Sequence, residues 1–207
     1  MFEFQRLEAV RPDTQPFPHF AAQGLLSPEA LAGIAGDFPD IRQPGLFPLS
    51  ELSYGPQFAA LIEDLRRPEF SEAMGRKLGM VLSGKPMMIT VRGRCAARDG
   101  RSHTDSEDKI ATCLLYLNGT DWTEPGGALR LLRSADVDDT IAEIPPLGGT
   151  LVAFRRTDNS WHGHRPFEGP RRYIMCNWLR SEAALNKNVG RHKLSAAFKK
   201  LDRRHAG

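Results

Sequence analysis

Apolar positions along the chain fall into two textures, with the change near Pro86. Before it the spacing is helical. Ser27-Pro28 opens a helix, with Ser as N-cap and Pro at the first helical position, where its missing N–H costs nothing. Leu31, Ile34 and Phe38 share one face, and Pro39 ends the segment. Phe58, Leu61, Ile62 and Leu65 repeat the pattern of a second amphipathic helix. Pro68 starts a third, with Phe70, Ala73, Met74 and Leu78 on its buried side. Residues 40–56 hold several Pro and Gly and read as a loop. Residues 1–26 read as an extended arm with a short strand at 17–20.

After Pro86 come short apolar runs separated by turn residues, which predict strands at 87–91, 110–117, 128–132, 150–154, 160–164 and 173–179. The segment 137–144 fits neither period. Such spacing is that of a barrel or double-sheet sandwich, so the fold class is mostly β with flanking helices. The end of the chain turns helical again and basic. Leu194, Ala197, Phe198 and Leu201 share a face, ringed by Lys193, Lys199, Lys200, Arg203 and Arg204. Packing on its own domain or across a homodimer is the simpler use of that stripe; binding nucleic acid is the alternative.

Length changes this picture little: 207 residues are one domain by size. Residues 1–85 form its helical part, 86–181 its β core and 182–207 its basic C-terminal helix. A net charge of +3 does not call for nucleic acid or an anionic membrane. No apolar run reaches membrane-span length, and the first residues lack the basic-then-apolar order of a secretion signal, so the expected location is cytoplasmic. Cys95, Cys113 and Cys176 form no Cys-x-x-Cys, which excludes a zinc ribbon or thioredoxin-like motif.

Candidate chemistry starts with His103 and Asp105, two apart, which in extended chain point to the same side. Alone the pair is weak. His162 follows an apolar strand and a turn, within Ser-Trp-His-Gly-His. Beyond it stands Arg172, in alternation with Ile174, Cys176 and Trp178; an inward arginine among these needs an anion, and its fork matches a carboxylate. Two imidazoles and one carboxylate with open positions make the facial triad of non-haem Fe(II) oxygenases. Two choices stay open. His164 points the same way as His162, and Arg171 competes with Arg172, whose apolar neighbours favour it. Lys109 and Arg94 read as solvated charges, Asp108 and Glu107 as turn residues, and His19, His192 and His205 as surface histidines.

Taken together, these motifs resemble the iron(II)- and 2-oxoglutarate-dependent dioxygenases, most of all their prolyl-hydroxylase-type branch. The resemblance rests on His103, Asp105, His162 and Arg172. It also rests on Tyr116-Leu117-Asn118, the Gly126-Gly127 turn before Ala-Leu-Arg-Leu, and the Pro-x-Gly-Gly-x-Leu strand before His162. It spans roughly residues 86–181. It implies a double-stranded β-helix (jelly roll) braced by the N-terminal helices, with Fe(II) held by His103, Asp105 and His162. It also implies 2-oxoglutarate as cosubstrate, its C5 carboxylate on Arg172 with the Tyr116 hydroxyl as a second contact. The reaction implied uses O2, releases succinate and CO2, and hydroxylates an unactivated C–H of a small-molecule or peptidyl substrate. A nucleic-acid dealkylase is disfavoured, since that branch carries a second arginine where this chain has Trp178. The competing class is a non-catalytic jelly-roll metal- or ligand-binding protein.

Overall fold

The computed structural model describes the backbone of residues 1–205 and the side chains of residues 1–194. Among the described residues nine strands make two antiparallel sheets. The larger uses β1 (His19–Ala22), β2 (Phe47–Pro48), β3 (Met87–Cys95), β4 (Lys109–Tyr116), β7 (Leu151–Arg155) and β9 (Gly169–Leu179), in the order β1-β7-β4-β9-β3-β2. The smaller uses β5 (Leu129–Leu132), β6 (Thr140–Ile144) and β8 (His162–Gly163), in the order β6-β5-β8.

Both faces of the larger sheet are covered, and two apolar clusters record this. On one face Ile89, Val91, Cys113, Leu115, Ile174, Cys176 and Trp178 pack with the helices α2 (Pro28–Gly36), α3 (Pro56–Arg66) and α4 (Pro68–Leu78). These helices form where the sequence places them. Ser27 Oγ accepts the Ala30 N–H at 3.2 Å, and α4 closes on Gly79, whose φ of 65° is the left-handed cap glycine allows. On the other face Leu114, Tyr116, Val152, Phe154, Tyr173 and Met175 meet Leu129, Leu131 and Ile144 of the smaller sheet. The candidate site lies in this second layer, between the sheets.

Several expectations shift. The N-terminal arm contains a short helix, α1 (Phe4–Ala9), because Phe2 and Leu7 bury against the helical layer. The 40–56 loop contributes β2, and the ambiguous 137–144 segment contributes β6. The last helix, α5 (Glu182–His205), packs through Ala184, Leu185 and Val189 on Met88 and Leu179. Leu194 is 65% exposed, and the rest of the apolar stripe, Ala197, Phe198 and Leu201, lies outside the described side chains, as does His205. All three cysteines are buried thiols. No helix among the described residues is long and apolar enough to cross a membrane.

Candidate metal centre

His103 lies in the loop before β4, and His162 begins β8. The two residues exchange both backbone hydrogen bonds, each 3.0 Å, as an isolated antiparallel bridge. That pairing sets their side chains on one side, with ring centroids 4.4 Å apart. Asp105, two residues on, returns to the same point. Ligand atoms of His103, Asp105 and His162 all lie within 4.8 Å of one another.

Backbone carbonyls fix the imidazoles. His103 Nδ1 lies 2.8 Å from the Arg101 carbonyl, and His162 Nδ1 lies 3.0 Å from that of Ser160. A carbonyl only accepts, so Nδ1 carries the proton and the Nε2 lone pair is left for a metal. The His162 ring is also clamped by Phe154, centroid to centroid 4.4 Å. Burial, opposed by Asp105 and assisted by His103, pushes the His162 pKa down to about 4. It is therefore neutral at ordinary pH, the form that ligates.

Burial opposes ionisation of Asp105 as well. Lys109 and His162 outweigh it, with hydrogen bonds from Lys109 and Thr112, and hold the carboxyl well below its usual range. Lys109 Nζ sits 2.6 Å from Oδ1, and Thr112 Oγ1 donates to Oδ2 at 2.5 Å. Two imidazoles and one anionic carboxylate with converging atoms fit Fe(II), leaving the remaining positions to other ligands.

A cavity of about 210 Å³ opens from the triad between the sheets, and Arg92, His164, Arg171, Tyr173 and Met175 line it further in. Arg171 is 1% exposed. Its Nε donates to the Gly127 carbonyl at 2.7 Å and its Nη2 to the Tyr116 hydroxyl at 3.0 Å. Gly127 turns its carbonyl there with a φ of 81°, in a corner where a Cβ would meet Phe167 and Trp122 at 3.0 Å. The Arg171 guanidinium also faces the Tyr116 and Tyr173 rings, at 5.2 and 5.0 Å. Its partners are thus neutral oxygens and ring faces. Among the described residues no carboxylate pairs with this buried cation. Burial pushes the Tyr116 pKa up to about 12 against the pull of Arg171, so its hydroxyl stays protonated.

Arg172 is not in this cavity, which corrects the sequence reading. Its guanidinium lies 5.0 Å from the Phe38 ring on the helix-covered face and lines clefts beside α2. It does share a face with Ile174, Cys176 and Trp178, but that face packs on helices and looks away from the triad. Lys109 is also corrected: it is half-buried beside Asp105, not a solvated charge. His19 is buried, with Nδ1 2.9 Å from the Phe17 carbonyl, and His192 is half-buried. Arg94 lines a cleft on the helix side. Asp108 does more than turn the chain: it takes hydrogen bonds from Lys187 and Asn188 of α5. His164 lines the cavity outside the triad, its Nδ1 2.8 Å from the Arg165 carbonyl, and burial with the nearby Arg171 charge pushes its pKa down to about 4.

Sequence reasoning missed Arg92, Thr112 and Asn177. Arg92 forms an ion pair with Asp99 inside the cavity wall. Thr112 and Asn177 face each other across β4 and β9, and Asn177 Nδ2 donates to Thr112 Oγ1 at 2.8 Å. The available signal was parity: all three alternate with strand residues that face the smaller sheet.

A mostly β chain with a two-His, one-carboxylate centre and a buried arginine points to a class of oxygenase. Residues 94–180 match the family model of the 2OG-Fe(II) oxygenase superfamily, which supports a 2-oxoglutarate- and Fe(II)-dependent dioxygenase. Its fold resembles that of a prolyl 4-hydroxylase from Pseudomonas putida at 16% identity, with a TM-score of 0.50 over 79% of this chain and 92% of that one. It also resembles the viral collagen prolyl hydroxylase of Paramecium bursaria Chlorella virus-1 in its 2OG complex, at 17% identity and a TM-score of 0.50, covering 79% and 95%. AviO1 from Streptomyces viridochromogenes Tue57 is 13% identical, with a TM-score of 0.51 over 87% and 96%. No curated protein matches the chain by sequence.

Proposed function

We propose that His103 Nε2, His162 Nε2 and the Asp105 carboxylate hold Fe(II), and that Arg171, in place of Arg172, receives the distal carboxylate of 2-oxoglutarate with the Tyr116 hydroxyl beside it. One observation carries this reading: a fully buried guanidinium with no acidic partner lies in the same cavity as the triad. A charge so placed is very costly unless an anion meets it. Fe(II) held there would supply the means of activating O2, one oxygen atom of which would hydroxylate an unactivated C–H while the other entered succinate as 2-oxoglutarate lost CO2.

The chain's own residues do the rest. Carbonyls of Arg101 and Ser160 hold the two Nδ1 atoms and so turn both Nε2 atoms to the metal, and Lys109 and Thr112 keep Asp105 charged. Arg171 and Tyr116 orient the cosubstrate end-on, and Leu114, Leu129 and Met175 keep the cavity wall apolar. The two sheets form a double-stranded β-helix within a single domain, and α2, α3 and α4 brace its larger sheet. The likeness in fold to prolyl hydroxylases favours a peptidyl or small-molecule C–H as target, in a cytoplasmic setting suited to three free thiols.

Anaerobic addition of Fe(II) and then 2-oxoglutarate tests the reading. A visible charge-transfer band that saturates at one equivalent of each supports it. A chain that binds Fe(II) yet gives no band and no 2-oxoglutarate binding is the non-catalytic metal-binding protein instead.

A further inference from the structure

Two buried polar side chains at the centre have no part in holding metal or cosubstrate. Thr112 is 1% exposed and Asn177 is 0% exposed. They stand directly opposite each other on β4 and β9. Thr112 Oγ1 lies 2.5 Å from Asp105 Oδ2 and 2.8 Å from Asn177 Nδ2. Chemistry fixes the direction of both bonds. A carboxylate only accepts, an amide NH2 only donates, and a hydroxyl has one proton to give. Turning the Asn177 amide over would ask that single proton to serve two acceptors. The Thr112 proton is therefore committed to Asp105.

Among the described residues Asn177 Oδ1 has no hydrogen-bond partner. A buried acceptor left empty is a standing penalty, and an apolar side chain of similar volume at this position would avoid it. What Asn177 provides in exchange is its Nδ2 bond to Thr112. The other oxygen of Asp105 is held more loosely. Its partner, Lys109 Nζ at 2.6 Å, ends a long stem whose side chain is 15% exposed. Of the two carboxylate oxygens, Oδ1 is the one that can be released.

We propose that Thr112 and Asn177 are positioning residues for the metal centre. They lock Asp105 Oδ2 so that Oδ1 turns to the metal and Lys109 gives way. The proposal rests on the assignment of Asp105 as a ligand. It makes coordination one-sided, through one defined oxygen, and it works through the carboxylate without touching metal or substrate.

Co(II) titration of the whole chain tests it, read by dissociation constant and by the visible ligand-field spectrum, with near-UV circular dichroism of the metal-free protein as the check on folding. Thr112→Val is expected to weaken Co(II) roughly ten- to a hundredfold and to alter the spectrum. Thr112→Ser, which returns the hydroxyl, is expected to restore both. Asn177→Leu leaves the hydroxyl but frees its proton to turn away, so a smaller loss with the same spectral change is expected. Wild-type affinity and spectrum in Thr112→Val overturn the proposal, as does a Thr112→Ser as weak as Thr112→Val. If Thr112→Val does not fold, Asn177→Leu decides by the same two readouts. Asp105→Ala runs alongside: if it keeps wild-type affinity, the ligand assignment itself fails, whereas its loss beside an unaffected Thr112→Val fails the positioning role alone.

Discussion

Replacing Arg171 by alanine should abolish useful binding of 2-oxoglutarate while the neighbouring Arg172→Ala leaves it intact. The structure sets the magnitude. Arg171 is 1% exposed, walled by two tyrosine rings, and its charge meets no acid among the described residues. A carboxylate arriving there forms a charge-assisted pair in a site with little water. Removing the cation strands that carboxylate, a loss of about 3–5 kcal/mol. Dissociation constants should then rise on the order of a hundred- to several-thousandfold. Arg171→Lys should fall between, since a point charge replaces a fork. Arg172 faces Phe38 on the far side of the sheet, where losing a cation–π contact costs about 0.5–1 kcal/mol of stability and nothing at the cavity.

The assay is anaerobic 2-oxoglutarate titration of the Fe(II)-loaded wild type, Arg171→Ala, Arg171→Lys and Arg172→Ala. Arg171→Ala also leaves the Gly127 carbonyl without its donor, about 1–3 kcal/mol of folding stability. Metal affinity therefore has to be measured on the same samples, and it should barely move. Near-normal cosubstrate affinity in a folded, metal-loaded Arg171→Ala refutes the anchor. A selective loss in Arg172→Ala returns the role to the residue on the helix side.

Three further outcomes are expected. His162→Ala should lose metal, while His164→Ala keeps it, because only His162 shares the point of convergence with His103 and Asp105; metal analysis of the two purified variants decides. Lys109→Met should tighten Co(II) binding several-fold, since it removes a cation that competes for Asp105 Oδ1; weaker binding would mean that Lys109 stays on the carboxylate when metal is present. Gly100→Ala should cost about 1–2 kcal/mol in thermal or denaturant unfolding from its left-handed backbone alone. An added Cβ there would also lie 2.0 Å from His164 Nε2, so the imidazole must move as well, and unchanged stability would contradict that packing.

The convergence of His103, Asp105 and His162 was legible because its logic is local. A His-x-Asp pair in extended chain converges by period alone, and a later histidine after an apolar strand completes the set. Helices α2, α3 and α4 were legible for the same reason, through capping and spacing. The arginine was not. The rule that the apolar side of a strand is the inner side assumes one buried face, and β9 is buried on both. Its purely apolar face, Ile174, Cys176 and Trp178, is the one that packs on helices. The mixed face, Arg171, Tyr173, Met175 and Asn177, is the one that turns to the cavity beside the triad. Lys109 was misread for a different reason. Simple alternation sends it to the same side as Ala111 and Cys113, but the register slips between Lys109 and Ala111, and the bulge turns Lys109 toward the site.

Alternation assigns residues to faces without saying which face sees the site, so a second strand has to break the tie. Tyr116 does so once register is known. It is directly opposite Tyr173 across β4 and β9, and directly opposed residues project to the same side of a sheet. A site that uses the Tyr116 hydroxyl therefore lies on the face of Tyr173, which is also the face of Arg171. Arg172 is excluded by that pairing alone, before any side-chain distance is considered. The two expectations drawn from the sequence, Tyr116 and Arg172 on one cosubstrate, could not both hold in this sheet. Of the two, Tyr116 is the one whose hydroxyl meets a buried guanidinium.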